Sequence, residues 1–190
     1  MFDSYHDNKE FIKTDFTINK IEKGEYDNCT FKNCNFEGIH ASNIQFLECN
    51  FIDCNLSNTI LKSSSLKNLH FINCKIIGVN FFDCDPFLMQ FYFKNCSLKF
   101  SSFFKLKIPK TIFYNCDLEQ VDFTESDLHD SIFDNCDLKN TVFENTNLKK
   151  VDFRKAYNFN INPELNQLEK SIFSKDNLSG LLSKYKIHID

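Results

Sequence analysis

The chain has 190 residues, among them 23 Phe, no Trp, 4 Gly and 3 Pro. That length suits one compact domain, alone or with an appendage, and so many Phe beside so few turn-formers point to a regular, core-dense structure whose corners need no special residues. Lys plus Arg number 22 against 26 Asp plus Glu, a net charge of -4 that excludes a simple basic nucleic-acid binder.

The opening MFDSYHDNKE has no basic n-region or apolar h-segment and reads as a lead-in over residues 1–10. No run approaches the length of a membrane span. The expectation is a soluble, cytoplasmic protein with no membrane contact.

From Phe11 a five-residue period takes over. Phe11, Phe16, Ile21, Tyr26, Phe31 and Phe36 begin it, and it continues to Phe81, Pro86 and Phe91. The register then slips by two, resumes at Phe93 and runs to Phe153. Two residues before these central positions stands a small or compact residue, and all nine Cys fall there. A helix would let such a period drift by about 140° per step, and a strand would flip it each time. Only a path that turns a corner once per five residues keeps every central side chain inside. That path is a solenoid.

The number of sides follows from columns of like residues about one coil apart. One column runs Phe11, Phe31, Phe51, Phe71, Phe93, Phe113, Phe133, Phe153, and a second runs from Phe16 and Phe36 to Leu118 and Leu138. A third passes Ile21, Ala41 and Leu61 to reach Phe81, Phe103, Phe123 and Phe143; a fourth goes from Tyr26 to Leu148. Four columns predict four faces and about seven coils, a rod about 35 Å long at strand spacing. The slip predicts a bulge or small loop near 84–93, close to Pro86. Its Phe87, Leu88 and Met89 are candidates for an exposed partner contact, with packing as the competing role.

Little in this pattern supports catalysis. The Cys sit at the inward small position, have no C-x2-C spacing and read as small buried hydrophobes. The five His share no spacing with them. The carboxylates fall at outward positions of a convex rod, where no cleft brings two together. No catalytic, metal or cofactor site is expected.

Charge is more informative. Residues 57–110 hold eight Lys against Asp83 and Asp85. Residues 115–145 hold Asp117, Glu119, Asp122, Glu125, Asp127, Asp130, Asp134, Asp137 and Glu144 against Lys139. These nine acids are the candidate partner-binding surface, with a merely solvated face as the alternative.

The runs CTFKNCNF, CNFIDCNL and CDLEQVDFTESDLHDSIFDNCDLKNTVFENTNL resemble the pentapeptide-repeat proteins. The pattern there is a small residue, Asn or Asp, Leu or Phe, then two variable positions. The resemblance covers residues 11–157 and implies an all-β, right-handed quadrilateral β-helix. This chain departs from it in placing Cys, Ser or Thr where Ala is common.

Residues 158–190 lack the period. Ser174 or Asp176 could cap a short helix through Leu178, Leu181, Leu182 and Tyr185, followed by a strand Ile187–Ile189. In its Asn-Pro segment, Phe-Ser turn and Leu-Leu helix this tail resembles the C-terminal module of the Qnr and MfpA-like quinolone-resistance proteins. That resemblance implies a cap and dimerisation module using Leu178, Leu181, Leu182, Tyr185, Ile187 and Ile189, and a homodimer about 70 Å long with the acidic coils at its middle. It also implies a DNA-mimicking, non-enzymatic binder of type II topoisomerase (gyrase or topoisomerase IV) that protects it from quinolones and does not itself touch nucleic acid. The alternatives are a generic interaction scaffold and an immunity protein against a gyrase-directed toxin.

Overall fold

The computed structural model describes residues 4–188, so Ile189 lies outside the described residues. Short strands mark the chain at regular intervals: β1 (Ser4–Asp7), β2 (Glu10–Ile12), β3 (Gly24–Asp27), β4 (Thr30–Lys32), β5 (Gln45–Leu47) and β6 (Asn50–Ile52). They continue as β7 (Ser65–Lys67), β8 (Leu69–Ile72), β9 (Phe91–Lys94), β10 (Ile112–Tyr114) and β11 (Ile132–Asp134). Every pairing is parallel and joins residues one coil apart, such as Phe31↔Phe51 and Phe113↔Phe133. One face carries a seven-stranded sheet, β11-β10-β9-β8-β6-β4-β2, and a neighbouring face carries β1-β3-β5-β7. Single bridges such as Asn35↔Asn55 and Asn80↔Ser102 continue the ladder on the other two. The molecule is a four-sided parallel β-helix.

The columns form the core. In the first, Phe rings stack from Phe11 to Phe173 at centroid spacings of 4.8–5.2 Å. Across the core, Phe103, Phe123 and Phe143 stack at 5.1 and 5.4 Å and meet the first column edge to face, Phe123 and Phe133 at 6.0 Å. Strand spacing thus imposes offset stacking within a column, and the square section imposes T-shaped contacts between columns, both favourable ring geometries. A cavity of about 20 Å³ remains, lined by Ala41, Phe36, Phe46 and Leu61 among others.

The small positions do more than save volume. Thr59 Oγ1 donates to Phe36 O at 2.7 Å, Ser64 Oγ to Ala41 O at 2.6 Å and Thr146 Oγ1 to Phe123 O at 2.8 Å. Cys54 and Cys74 donate to Phe31 O and Phe51 O, each at 3.3 Å. Each such side chain gives a buried carbonyl of the previous coil a donor, which Ala could not supply. All nine Cys are free and buried, and burial pushes the Cys49 and Cys84 thiols up to about 12. These two stay protonated at neutral pH, and all nine are packed away from solvent, so a thiol reagent should label almost none of the nine in the native protein and all of them in urea. Fast native labelling of Cys49 or Cys84 would contradict the packing.

The corners, contrary to the expectation from composition, do need a special conformation. A residue two beyond most central positions adopts positive φ, as at Asn33 (54°), Asn73 (55°), Asn115 (52°) and Asn135 (53°). Asn tolerates this left-handed region better than other non-Gly residues, and it fills thirteen of the twenty-seven such non-Gly positions among the described residues. On the first face their side chains stack into a ladder: Asn95 Nδ2 donates to Asn73 Oδ1 at 3.0 Å, Asn115 to Asn95 and Asn135 to Asn115 at 2.8 Å. Asn does here what Gly does in other proteins.

The register changes between Ser65↔Asp85 and Leu69↔Phe91. Leu88 is left-handed (φ 57°) like Asn68 one coil earlier, which makes Met89 and Gln90 the two extra residues. Met89 turns inward and is buried, so it is no surface contact, whereas Pro86, read as central, is exposed. A locked φ and a missing N–H suit Pro to the rim of a bulge better than to a ladder. Phe91 likewise occupies an inward small position, opposite Leu69.

Both ends extend the solenoid beyond the sequence reading. Ser4–Asp7 is a strand of the first coil, with the His6 ring stacked on Tyr26 at 4.5 Å. At the other end Asn147↔Gln167 and Asp152↔Ile172 carry the ladder past residue 157. The tail then closes the rod as a 3-10 turn Lys175–Asn177, a single helical turn α1 (Ser179–Leu182) and a 3-10 turn Ser183–Tyr185. No side-chain cap is made by Ser174, and residues 187–188 form no strand. Gly180 lies so close to Phe159 that a Cβ would come within 2.5 Å of the ring, and its carbonyl accepts from Ile161 N at 3.0 Å. Asn177 Nδ2 donates to Ala156 O at 2.9 Å. These contacts cover the terminal Phe rings.

Candidate interaction surfaces

The nine acids form a belt around the C-terminal coils, not a stripe. Asp117, Glu119 and Asp137 share the second face, Asp122 and Glu144 the third, Asp127 the fourth and Asp134 the first, with Glu125 and Asp130 at corners. A spacing of five moves each successive acid to the next side.

Most are already engaged. Lys99 Nζ reaches Asp117 at 2.9 Å and Glu119 at 3.0 Å, and Lys139 reaches Glu119 at 3.0 Å. Lys105 pairs with Glu125 at 3.4 Å, Lys150 with Asp130 at 3.7 Å and Lys155 with Asp134 at 3.0 Å. His129 Nδ1 lies 2.8 Å from Asp127. Among the described residues Asp122, Asp137 and Glu144 have no cationic partner.

The Asp residues of the ladder also hold the turns. Asp122 Oδ1 accepts Thr124 N at 2.9 Å, Asp137 accepts Lys139 N at 3.0 Å, and Asp117 and Asp127 each accept the N–H two residues on at 3.2 Å. Asn35 and Asn55 make the same bond at 3.1 Å elsewhere. The local signal was the Asn or Asp before each central residue, whose side chain satisfies its own turn.

Lys139 first, then Lys99, holds the Glu119 carboxyl below its usual range. A lowered folded-state pKa stabilises the fold above the unfolded value of about 4.3, and this contribution is lost as pH falls through the folded value. Glu119→Gln should therefore reduce stability at pH 7 and converge with wild type in acid, measured by urea midpoints across pH. A constant gap down to low pH would mean the Lys99–Glu119–Lys139 cluster contributes nothing electrostatic.

Of the tail residues singled out, Leu181 packs on the core and Leu182 is half-buried, whereas Leu178, Tyr185 and Ile187 are exposed. The first two belong to the cap, and the last three face outward. At the bulge, Phe87 and Leu88 are exposed at 61% and 68%. Among the described residues no group of three or more His, Cys, Asp or Glu could hold a metal ion, and no helix is long and apolar enough to cross a membrane.

By sequence, the family described as pentapeptide repeat region matches residues 25–104 and 106–181. By structure, two trypsin-treated variants of QnrB1, described as a plasmid-mediated fluoroquinolone resistance protein, superpose with a TM-score of 0.64 at 16% identity, over 97% of this chain and 99% of theirs. Full-length QnrB1 gives 0.48 at 19% identity, over 96% and 99%. No curated protein matches. At these identities the likeness speaks for the fold.

Proposed function

The chain belongs to the pentapeptide-repeat family, and from that premise we propose that it is a non-enzymatic, dimeric DNA mimic that binds type II topoisomerase and protects it from quinolones. The observation that carries this reading is the belt of nine carboxylates around one end of a rigid rod, since B-DNA is likewise a rod with closely spaced negative charge. The fold likeness to a fluoroquinolone resistance protein over nearly both whole chains supports it. Leu178, Tyr185 and Ile187, exposed beyond the cap, suit a twofold contact that sets two belts side by side.

A supercoiling and cleavage assay with gyrase tests the function: the chain should restore supercoiling in the presence of a fluoroquinolone. Failure to bind gyrase would leave a generic scaffold, a reading favoured by the ion pairs that already neutralise much of the belt. Sedimentation tests the dimer. Deleting residues 175–190 should give a monomer or an aggregating chain without topoisomerase binding, but it also strips the cap from Phe159. The triple variant Leu178→Ser, Tyr185→Ser, Ile187→Ser leaves Gly180, Asn177 and Leu181 in place and should give a folded monomer. A full-length monomer would remove the long rod and put the scaffold first.

A further inference from the structure

The first face differs from the second. Its outward residues include Ile52, Ile72, Tyr92, Ile112, Tyr114 and Ile132, whereas the second face presents Asp117, Glu119, Asp137 and Lys139 at the equivalent coils. The register sets these residues in two rows: Ile52 pairs with Ile72 in one, Tyr92 with Ile112 and Ile112 with Ile132 in the other, and the rows meet diagonally where Ile72 pairs with Lys94 beside Tyr92. Tyr114 (43%) and Ile132 (37%) are exposed on this seven-stranded sheet. Across the adjoining corner Phe87 and Leu88 project beside it, with Lys67 Nζ 5.4 Å from the Phe87 ring.

Cations outnumber acids around this face. Lys32 and Lys94 stand on the face itself, Lys110 at a corner and Lys67 and Lys75 on the two neighbouring faces, against Glu48 and Asp53 at corners and Asp134, already paired with Lys155, at the C-terminal end. Among the described residues none of these five makes an ion pair with a carboxylate, in contrast to Lys99, Lys105 and Lys139 in the belt. Apolar rings in the middle and unneutralised ammonium groups at the edge call for a ligand of the inverse pattern.

We propose that this face is a second docking surface, distinct from the acidic belt, and that its occupant is an acidic amphipathic helix of a protein partner. The length fits: Ile52 to Ile132 spans four strand steps, about 19 Å, which a helix covers in about 13 residues. A helix laid along the rod would set an i, i+3, i+4, i+7 stripe on the rings and its carboxylates against the lysines. An anionic bilayer offers the same charge, but Ile52, Ile72 and Ile112 of this face are half-buried, and Phe87 and Leu88, the most exposed of its apolar neighbours, lie at its edge and not at its middle.

The test is a display library of helical peptides about 18 residues long, with a fixed Leu stripe and Glu, Lys or Gln at every other position, panned on the full chain. Enriched peptides should be acidic. Their affinity should fall at least tenfold for Tyr92→Ser/Tyr114→Ser and again for Lys94→Glu/Lys110→Glu, whose solvent-facing changes leave the core intact, with thermal midpoints recorded for both. Asp122→Asn in the belt should leave peptide binding unchanged, which separates this surface from the topoisomerase reading. No enrichment, enrichment of cationic peptides, or equal affinity for folded charge-reversed protein would overturn the proposal. Co-sedimentation with phosphatidylserine vesicles but with no peptide would assign the face to membranes instead.

Discussion

Replacing Phe123 by Ala is expected to cost about 3–5 kcal/mol of stability, the largest effect of any single substitution considered for this chain. Phe123 is fully buried, stacked at 5.1 Å on Phe103 and 5.4 Å on Phe143 and met edge-on by Phe113 and Phe133 at 5.9 and 6.0 Å. A coil contributes one such side chain per face, and the backbone ladder on either side fixes the spacing. The walls of the cavity therefore have little freedom to collapse, which places the cost toward the upper part of the large-to-small range. Two residues on, Glu125 sits at a corner with its carboxylate 3.4 Å from Lys105, largely in water. Glu125→Gln should leave the urea midpoint almost unchanged, because exposed pairs contribute little. Both variants belong in one denaturation series. A series in which Glu125→Gln were the more damaging change would sink the inward and outward assignment.

How much of this was legible in the residues depends on how far each feature is set by a repeating contact. Phe11 through Phe153 could be placed in a column from spacing alone, because a five-residue period is compatible with neither helix nor strand and forces one corner per repeat, and like residues recurring about one coil apart set the corners at four. Phe173 belongs to the same column, 5.1 Å from Phe153, and Leu168 follows Leu148 by the same step. That last coil was hidden because Asn-Phe-Asn-Ile-Asn-Pro at residues 158–163 interrupts the pattern on two sides before Gln167 regains the ladder. The bulge was placed to within a few residues, yet which side chain turned inward was not. Periodicity says that two residues are extra; only packing decides that Met89 and not Pro86 fills the core.

The corners were misread for a different reason. Few Gly suggested undemanding turns, but Asn and, at a higher conformational cost, Lys105, Gln120 and Glu125 adopt positive φ there. Asn at the left-handed position of one coil donates to its neighbour in the next, so the ladder contributes hydrogen bonds that an isolated turn would lack. The acidic surface shows the same entanglement of local and global roles. Counting charge along the chain located the belt, but it could not reveal that Asp117, Asp122, Asp127 and Asp137 each close a turn, or that neighbouring coils supply Lys99 to Asp117 and Lys155 to Asp134.

That entanglement also provides the decisive test of the belt. Asn35, Asn55 and Asn147 show that an amide oxygen holds the same turn as a carboxylate in this chain. The quadruple variant Asp117→Asn, Asp122→Asn, Asp127→Asn, Asp137→Asn should therefore keep every turn while removing four negative charges, enough to take the net charge from -4 to zero. If the belt is read by the cationic surface of a topoisomerase, association slows and affinity falls at least tenfold, because complementary fields act mainly on encounter. The thermal midpoint should move little, since the chief ion pair removed is the surface one between Lys99 and Asp117, and Lys99 keeps Glu119. Gyrase affinity by surface plasmon resonance at two salt concentrations, with thermal melts of the same samples, separates the outcomes. A folded variant with undiminished affinity and unchanged salt dependence would reduce these carboxylates to turn-holders, and the rod would then recognise its partner through shape and apolar contact instead of charge.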